Sequence, residues 1–129
     1  MCWSNTIAIP LVLKKPLRVY KVGTLTILGN FISLYQEFRY CENKTMPTVK
    51  INPEFIGIYP PDAIRAYEKF YIYEGYHSYL TKKRARCNCD KHNSIGVFEI
   101  PAGATIYVNY EYGEVVSTDI KYLGGDFLS

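Results

Sequence analysis

Gly96-Val97-Phe98-Glu99-Ile100, Pro101-Ala102-Gly103-Ala104 and Thr105-Ile106-Tyr107-Val108-Asn109 decide the fold. The first and third segments are rich in β-branched and aromatic residues, and the second is turn chemistry, so the stretch reads strand–turn–strand. Downstream, Tyr110 to Gly113 is a second turn, Glu114-Val115-Val116-Ser117-Thr118 a third strand and Ile120 to Leu123 a fourth. Short turns favour antiparallel neighbours, which predicts a meander at the C-terminal end of an antiparallel sheet.

Upstream, Leu17-Arg18-Val19-Tyr20-Lys21-Val22 alternates with period two. Leu17, Val19 and Lys21 share one face and Arg18, Tyr20 and Val22 the other, so both faces are mixed and the pattern does not say which is buried. Gly23 closes this strand; Thr24 to Leu28 and Phe31 to Tyr40 are further candidates. Pro47, Pro53 and Pro60 mark residues 41–60 as loop, broken by a short strand around Thr48 to Ile51. Asp62 is placed to cap a helix over Ala63 to Lys69, followed by a strand from Phe70 to Tyr73. After a turn at Gly75, Ser78 is placed to cap a second short helix through Arg86, and residues 87–95 read as a polar loop. Residues 1–15 form an N-terminal arm ending at Lys14-Lys15-Pro16. The expected class is α+β: one domain over 1–129, an antiparallel sheet with one or two short helices.

At 129 residues, 48% hydrophobic and 21% charged, the composition is that of one globular domain. A chain of this size buries roughly two-thirds of its unfolded surface, so no metal or disulfide staple is required. No stretch approaches the ~18 apolar residues that span a bilayer. Met1-Cys2-Trp3-Ser4-Asn5 lacks a basic signal-peptide start, which gives cytoplasm as the expected compartment and the four cysteines as reduced thiols.

The net charge of +3 is too small to argue for nucleic acid, but its distribution is uneven. Lys82, Lys83, Arg84, Arg86 and Lys91 stand against Asp90 alone, while Glu99, Glu111, Glu114, Asp119 and Asp126 stand against Lys121. The basic run follows Glu74-Gly75-Tyr76-His77-Ser78-Tyr79. Tyr76 and His77 offer rings for stacking, Ser78 a helix start, and Lys82, Lys83, Arg84 and Arg86 charges for phosphates: a candidate site for an anionic ligand such as a nucleotide. Cys87-Asn88-Cys89-Asp90-Lys91-His92 offers three soft metal ligands, Cys87, Cys89 and His92. The one-residue spacing is narrower than structural zinc knuckles use, so no metal is expected. Cys2, if exposed by removal of Met1, could use its own α-amine as base for its thiol, in the manner of N-terminal nucleophile enzymes.

Two resemblances follow from these segments. The Met1-Cys2-Trp3 opening, Arg18-Val19-Tyr20-Lys21-Val22, Glu74-Gly75-Tyr76-His77-Ser78-Tyr79, Ile100-Pro101-Ala102-Gly103-Ala104 and Gly113-Glu114-Val115-Val116-Ser117 resemble small uncharacterised proteins of gut bacteria and their phages. That resemblance implies a counter-defence setting. Separately, Glu114-Val115-Val116-Ser117-Thr118-Asp119-Ile120-Lys121-Tyr122-Leu123 resembles the last catalytic strand of ADP-ribosyltransferases. It implies Arg18 on an NAD-binding first strand, Tyr76 or Ser78 at the nicotinamide and Glu114 as the catalytic carboxylate. The primary expectation is a non-enzymatic binding module without cofactor, whose partner is a host protein or a small anionic ligand. An ADP-ribosyltransferase-like enzyme or a Cys2 nucleophile enzyme is the alternative.

Overall fold

The computed structural model describes residues 3–5, 10–26, 29–33, 39–59, 67–72, 74–89, 93–109 and 112–126. Twelve strands and one helix occur among them: β1 (Trp3–Asn5), β2 (Leu11–Val12), β3 (Leu17–Leu25), β4 (Phe31–Ser33), β5 (Arg39–Tyr40), β6 (Glu54–Tyr59), β7 (Tyr67–Ile72), β8 (Tyr76–Tyr79), α1 (Lys82–Cys87), β9 (Ser94–Ile100), β10 (Thr105–Asn109), β11 (Glu114–Ser117) and β12 (Lys121–Asp126). The fold is mostly antiparallel β-sheet with one short helix. That helix is not long or apolar enough to cross a membrane.

One ladder organises the main sheet. β3 pairs with β9 from Leu17↔Ile100 to Gly23↔Ser94, and β2 pairs with β10 at Val12↔Thr105 and Leu11↔Ile106. Both pairings have the same register. Between them, Leu13 N–H donates to Ala104 O at 2.9 Å and Gly103 N–H donates to Leu13 O at 2.8 Å. Residues 11–23 and 94–106 are therefore two long strands that bend together at Lys14-Lys15-Pro16 and Pro101-Ala102-Gly103. Such paired bends make the corners of strongly curved sheets. β10 pairs onward with β11, β11 with β8, and β8 returns to β3 at Tyr20↔Tyr79. The pairings thus close a ring, β3–β8–β11–β10–β2, whose last strand runs on into its first.

Alternation sorts each strand across that ring. Val19, Tyr76, Phe98, Ile100, Ala104, Ile106 and Val115 are buried in one interior cluster. Phe31, Tyr40 and Tyr122 extend it: Phe98 meets Tyr40 edge-on at 4.9 Å between ring centroids, Phe31 at 5.4 Å and Tyr122 at 4.9 Å. The segment after β5 lies along β12, with Asn43 N–H donating to Tyr122 O and Met46 N–H to Ile120 O. On the outside, Ala85 of α1 packs with Val22, Tyr79 and Ile95. Ile72 of the separate three-stranded sheet β1-β7-β6 packs with Ile51, Tyr107 and Val116.

Several expectations are corrected. The C-terminal strands are not a simple meander: β10 and β11 form a hairpin, but β9 pairs with β3 and β12, so β12 is not the neighbour of β11. The segment expected to turn β9 back on itself instead carries it around the corner beside β2. Residues 67–69 are strand rather than the end of a helix and run into the strand expected from Phe70, because β1 and β6 both offer β7 ladder partners and its aromatic residues suit a sheet; Asp62 to Ala66 and Tyr73 lie outside the described residues. No strand forms at Thr48 to Ile51, and the strand in this region is β6, which starts directly after Pro53 and is bulged near Gly57. The expected arm is held in two places, with β1 on β7 and β2 on β10.

Gly23 does not end its strand. β3 continues through it to Leu25 because β4 takes over pairing there, at Gly23↔Ser33. A Cβ at Gly23 would lie 2.2 Å from Ile32 O and 2.7 Å from the Phe31 ring, so the position excludes any side chain by close approach. Gly23→Ala is expected to cost about 3 kcal/mol, at the upper end of overpacking penalties. Denaturant unfolding measures it, and an unchanged midpoint would contradict this packing.

Candidate functional site

The strand β8 divides the expected Tyr/His/Ser platform. Tyr76 opposes Ser117 and Ser78 opposes Val115, so both face the interior; His77 opposes Val116 and Tyr79 opposes Glu114 on the outer face. The Tyr76 hydroxyl donates to Pro47 O at 2.6 Å. Burial, reinforced by Asp119, pushes its pKa up. Ser78 is 4% exposed and does not cap the helix. Thr81 does so, its Oγ1 accepting from Arg84 N–H at 3.2 Å. The anion-binding helix start expected at Ser78 is thereby corrected: Ser78 belongs to a paired strand, and the cap is already supplied from Thr81.

The cations of α1 lie on a different surface. Lys83, Arg84 and Arg86 are exposed and Lys82 is half-buried, while Ala85 alone is buried. The helix has no acid in its first turn. Beside it is the tip of the β10–β11 hairpin. Leu80 N–H donates to Gly113 O at 2.8 Å, and the Arg84 side chain lies across Gly113, its Cγ 2.8 Å from where a Cβ would stand. The residue before Gly113, Tyr112, is 56% exposed. Sequence reasoning grouped Tyr76, His77 and Ser78 with the cations by proximity along the chain. It missed Tyr112, the exposed neighbour of the glycine that Arg84 covers.

Sequence reasoning also missed the polar centre of the interior. Lys21 is 7% exposed. Its Nζ donates to His77 O and lies 5.6 Å from the Tyr40 ring centroid and 6.0 Å from that of Phe98. Among the described residues no carboxylate pairs with it. Burial without a counter-charge lowers its pKa from 10.5 to about 7. Burial also raises the Tyr40 hydroxyl well above its ordinary value, with Tyr76 adding to the effect. Carrying the Tyr20↔Tyr79 register one residue further puts Lys21 opposite Ser78. Ser78 Oγ nevertheless makes no hydrogen bond among the described residues, to Lys21 or otherwise, so the two are not a coupled nucleophile and base.

The residues of the alternative enzyme reading are not gathered. Arg18 is exposed on the outer face opposite Glu99, Glu114 is on the outer face opposite Tyr79, and Ser78 points inward. Glu114 is half-buried, and desolvation raises its pKa. Cys2 and His92 lie outside the described residues. Cys87 is an exposed free thiol, and the half-buried Cys89 packs on the outer cluster of Val22, Tyr79, Ala85 and Ile95. Among the described residues, no group of three or more His, Cys, Asp or Glu is placed to hold a metal ion. Comparison of the chain with known protein families, curated proteins and solved structures gives no match.

Lys21 has a measurable consequence for stability. The folded amine titrates near 7 and the unfolded one near 10.5, so between those values the unfolded chain holds the extra proton. Stability therefore rises with pH across that window, and the full cost of burying the ammonium is felt below it. Denaturant unfolding should show a higher unfolding free energy at pH 9 than at pH 6.5. Lys21→Met is expected to stabilise the fold by on the order of 2 kcal/mol at pH 6.5 and to flatten the slope. A variant less stable than wild type at pH 6.5, or an unaltered slope, would contradict the burial of an unpaired amine.

Proposed function

We propose that this chain is a non-enzymatic binding module whose α1 ridge takes an anionic ligand. The observation that carries the reading is the helix itself. It presents Lys83, Arg84 and Arg86 to solvent, anchors itself through Ala85 and has no acid in its first turn. Clustered cations of one sign on an outer surface raise the local concentration of anions and speed their encounter. Among the described residues the cluster beneath the helix is apolar, so the packing there does not require these three charges. The interior, by contrast, is filled by side chains from β3, β8, β9, β10 and β11, which leaves the outside for recognition.

The resemblance to small proteins of gut bacteria and their phages adds a setting. In that reading the module acts in the host cytoplasm against a defence system, and the anion is a host nucleotide or an acidic surface of a host protein. No cofactor enters the proposal.

Thermal unfolding tests it directly. Inorganic pyrophosphate and mono-, di- and cyclic nucleotides, at millimolar concentration and low salt, are expected to raise the melting temperature of the wild type through binding to the folded state. The double variant Lys83→Ala/Arg84→Ala should keep its fold, lose the stabilisation and show a weaker dependence on added salt. Absence of stabilisation by every probe, or stabilisation that survives the double substitution, would overturn the reading.

A further inference from the structure

Among the described residues, the large hydrophobic side chains left exposed are Leu11, Val12 and Tyr112. Leu11 and Val12 form a two-residue strand at the sheet margin, directly after Pro10, a residue that cannot donate to a ladder. Tyr112 is different. Among the described residues it is the exposed aromatic one; its N–H donates to Asn109 Oδ1 at 3.4 Å, and Asn109 is itself 5% exposed. Gly113 follows in a left-handed conformation, φ 64°, and is buried beneath the Arg84 side chain. The hairpin tip and the helix are joined at this point, since Leu80 N–H donates to Gly113 O one residue before the helix cap. Tyr112 is therefore a chain neighbour of the glycine that is covered by Arg84, a residue of the helix that also carries Lys83 and Arg86.

We infer that Tyr112 is the base-stacking residue of this ridge and that the ligand class is a nucleotide. The inference rests on the anion-binding reading of α1 and makes it specific. Inorganic phosphate or an acidic peptide uses cations alone and has no need of an exposed ring. A nucleotide carries both a phosphate, matched by Lys83, Arg84 and Arg86, and a flat aromatic base, matched by the Tyr112 ring. Stacking on a tyrosine tolerates any base, because every base has a π-face. The ridge consequently selects nucleotides as a class and discriminates weakly among bases.

The test compares ADP, ribose 5-phosphate, inorganic pyrophosphate and poly-glutamate as probes against the full chain, by calorimetric or fluorescence titration at low salt. ADP is expected to bind about tenfold or more tightly than ribose 5-phosphate or pyrophosphate, the range that base–aromatic stacking supplies. Tyr112→Ala should weaken ADP by about that factor and leave pyrophosphate unchanged, while Tyr112→Phe retains ADP binding. Circular dichroism of both variants should match the wild type, because Tyr112 is exposed. If ADP and pyrophosphate bind equally and Tyr112→Ala changes neither, the inference fails while the anion-binding reading stands. If poly-glutamate binds and ADP does not, the nucleotide assignment is wrong. If none of the probes binds, the α1 reading fails and the inference with it.

Discussion

At Leu13 and Ala104 two long strands hold each other through a shared bend. The two hydrogen bonds joining Leu13 to Ala104 and Gly103 keep residues 11–23 and 94–106 in one register across the corner. Without that joint, the path from β3 through β8, β11 and β10 would have no strand to return to. With it, the sheet has an inside. Inward-facing side chains from β3, β8, β9, β10 and β11 then meet over a short distance, and the rings of Phe31, Tyr40, Phe98 and Tyr122 complete the cluster. The same closure fixes the outside, where α1 seats Ala85 on Val22, Tyr79 and Ile95.

An inside made this way has a polar centre. Lys21 is delivered to it by alternation alone, two residues after Val19 on the same face. Its amine is held by the carbonyl of His77 and lies within cation–π range of two rings, but among the described residues no carboxylate offsets its charge. A lysine in that position costs stability and must be tolerated by the surrounding aromatic cluster. The cations on α1 are under no such constraint. They are solvated, they rest on an apolar anchor, and their charge is directed outward. The protein thus holds two kinds of positive charge, one confined and one presented, and the presented kind suits a soluble anion.

Much of the sheet was legible because β-branched and aromatic runs are local signals. Thr105 to Asn109 is a strand with the expected bounds, and the Val19/Lys21 face assignment is correct. What was illegible depends on partners distant in sequence. Gly23 looked like a terminator, yet β4 continues the pairing there. Tyr67 to Lys69 looked helical after a capping residue, yet β1 and β6 supply ladder partners. The turn at Pro101 to Ala104 reads identically whether it reverses a strand or bends it around a corner. The candidate site failed in the same manner. Tyr76 and Ser78 sit beside the basic run in sequence but face the interior, whereas Tyr112 lies far along the chain and joins the basic helix through Gly113. Lys21 gave no sequence signal of burial, because a charged residue within an alternating strand ordinarily faces water.

In the proposed reading, recognition is an outer-surface event at the junction of α1 and the β10–β11 hairpin, with the interior filled by side chains of the main sheet. Amide shift mapping of the isotope-labelled chain during an ADP titration tests this most directly. The account predicts that the largest changes fall at residues 82–86 and 109–114, and that Lys21, Tyr76 and Ser78 are undisturbed. Changes centred on Lys21, Tyr76 and Ser78, or on the Leu11–Val12 margin, would contradict it.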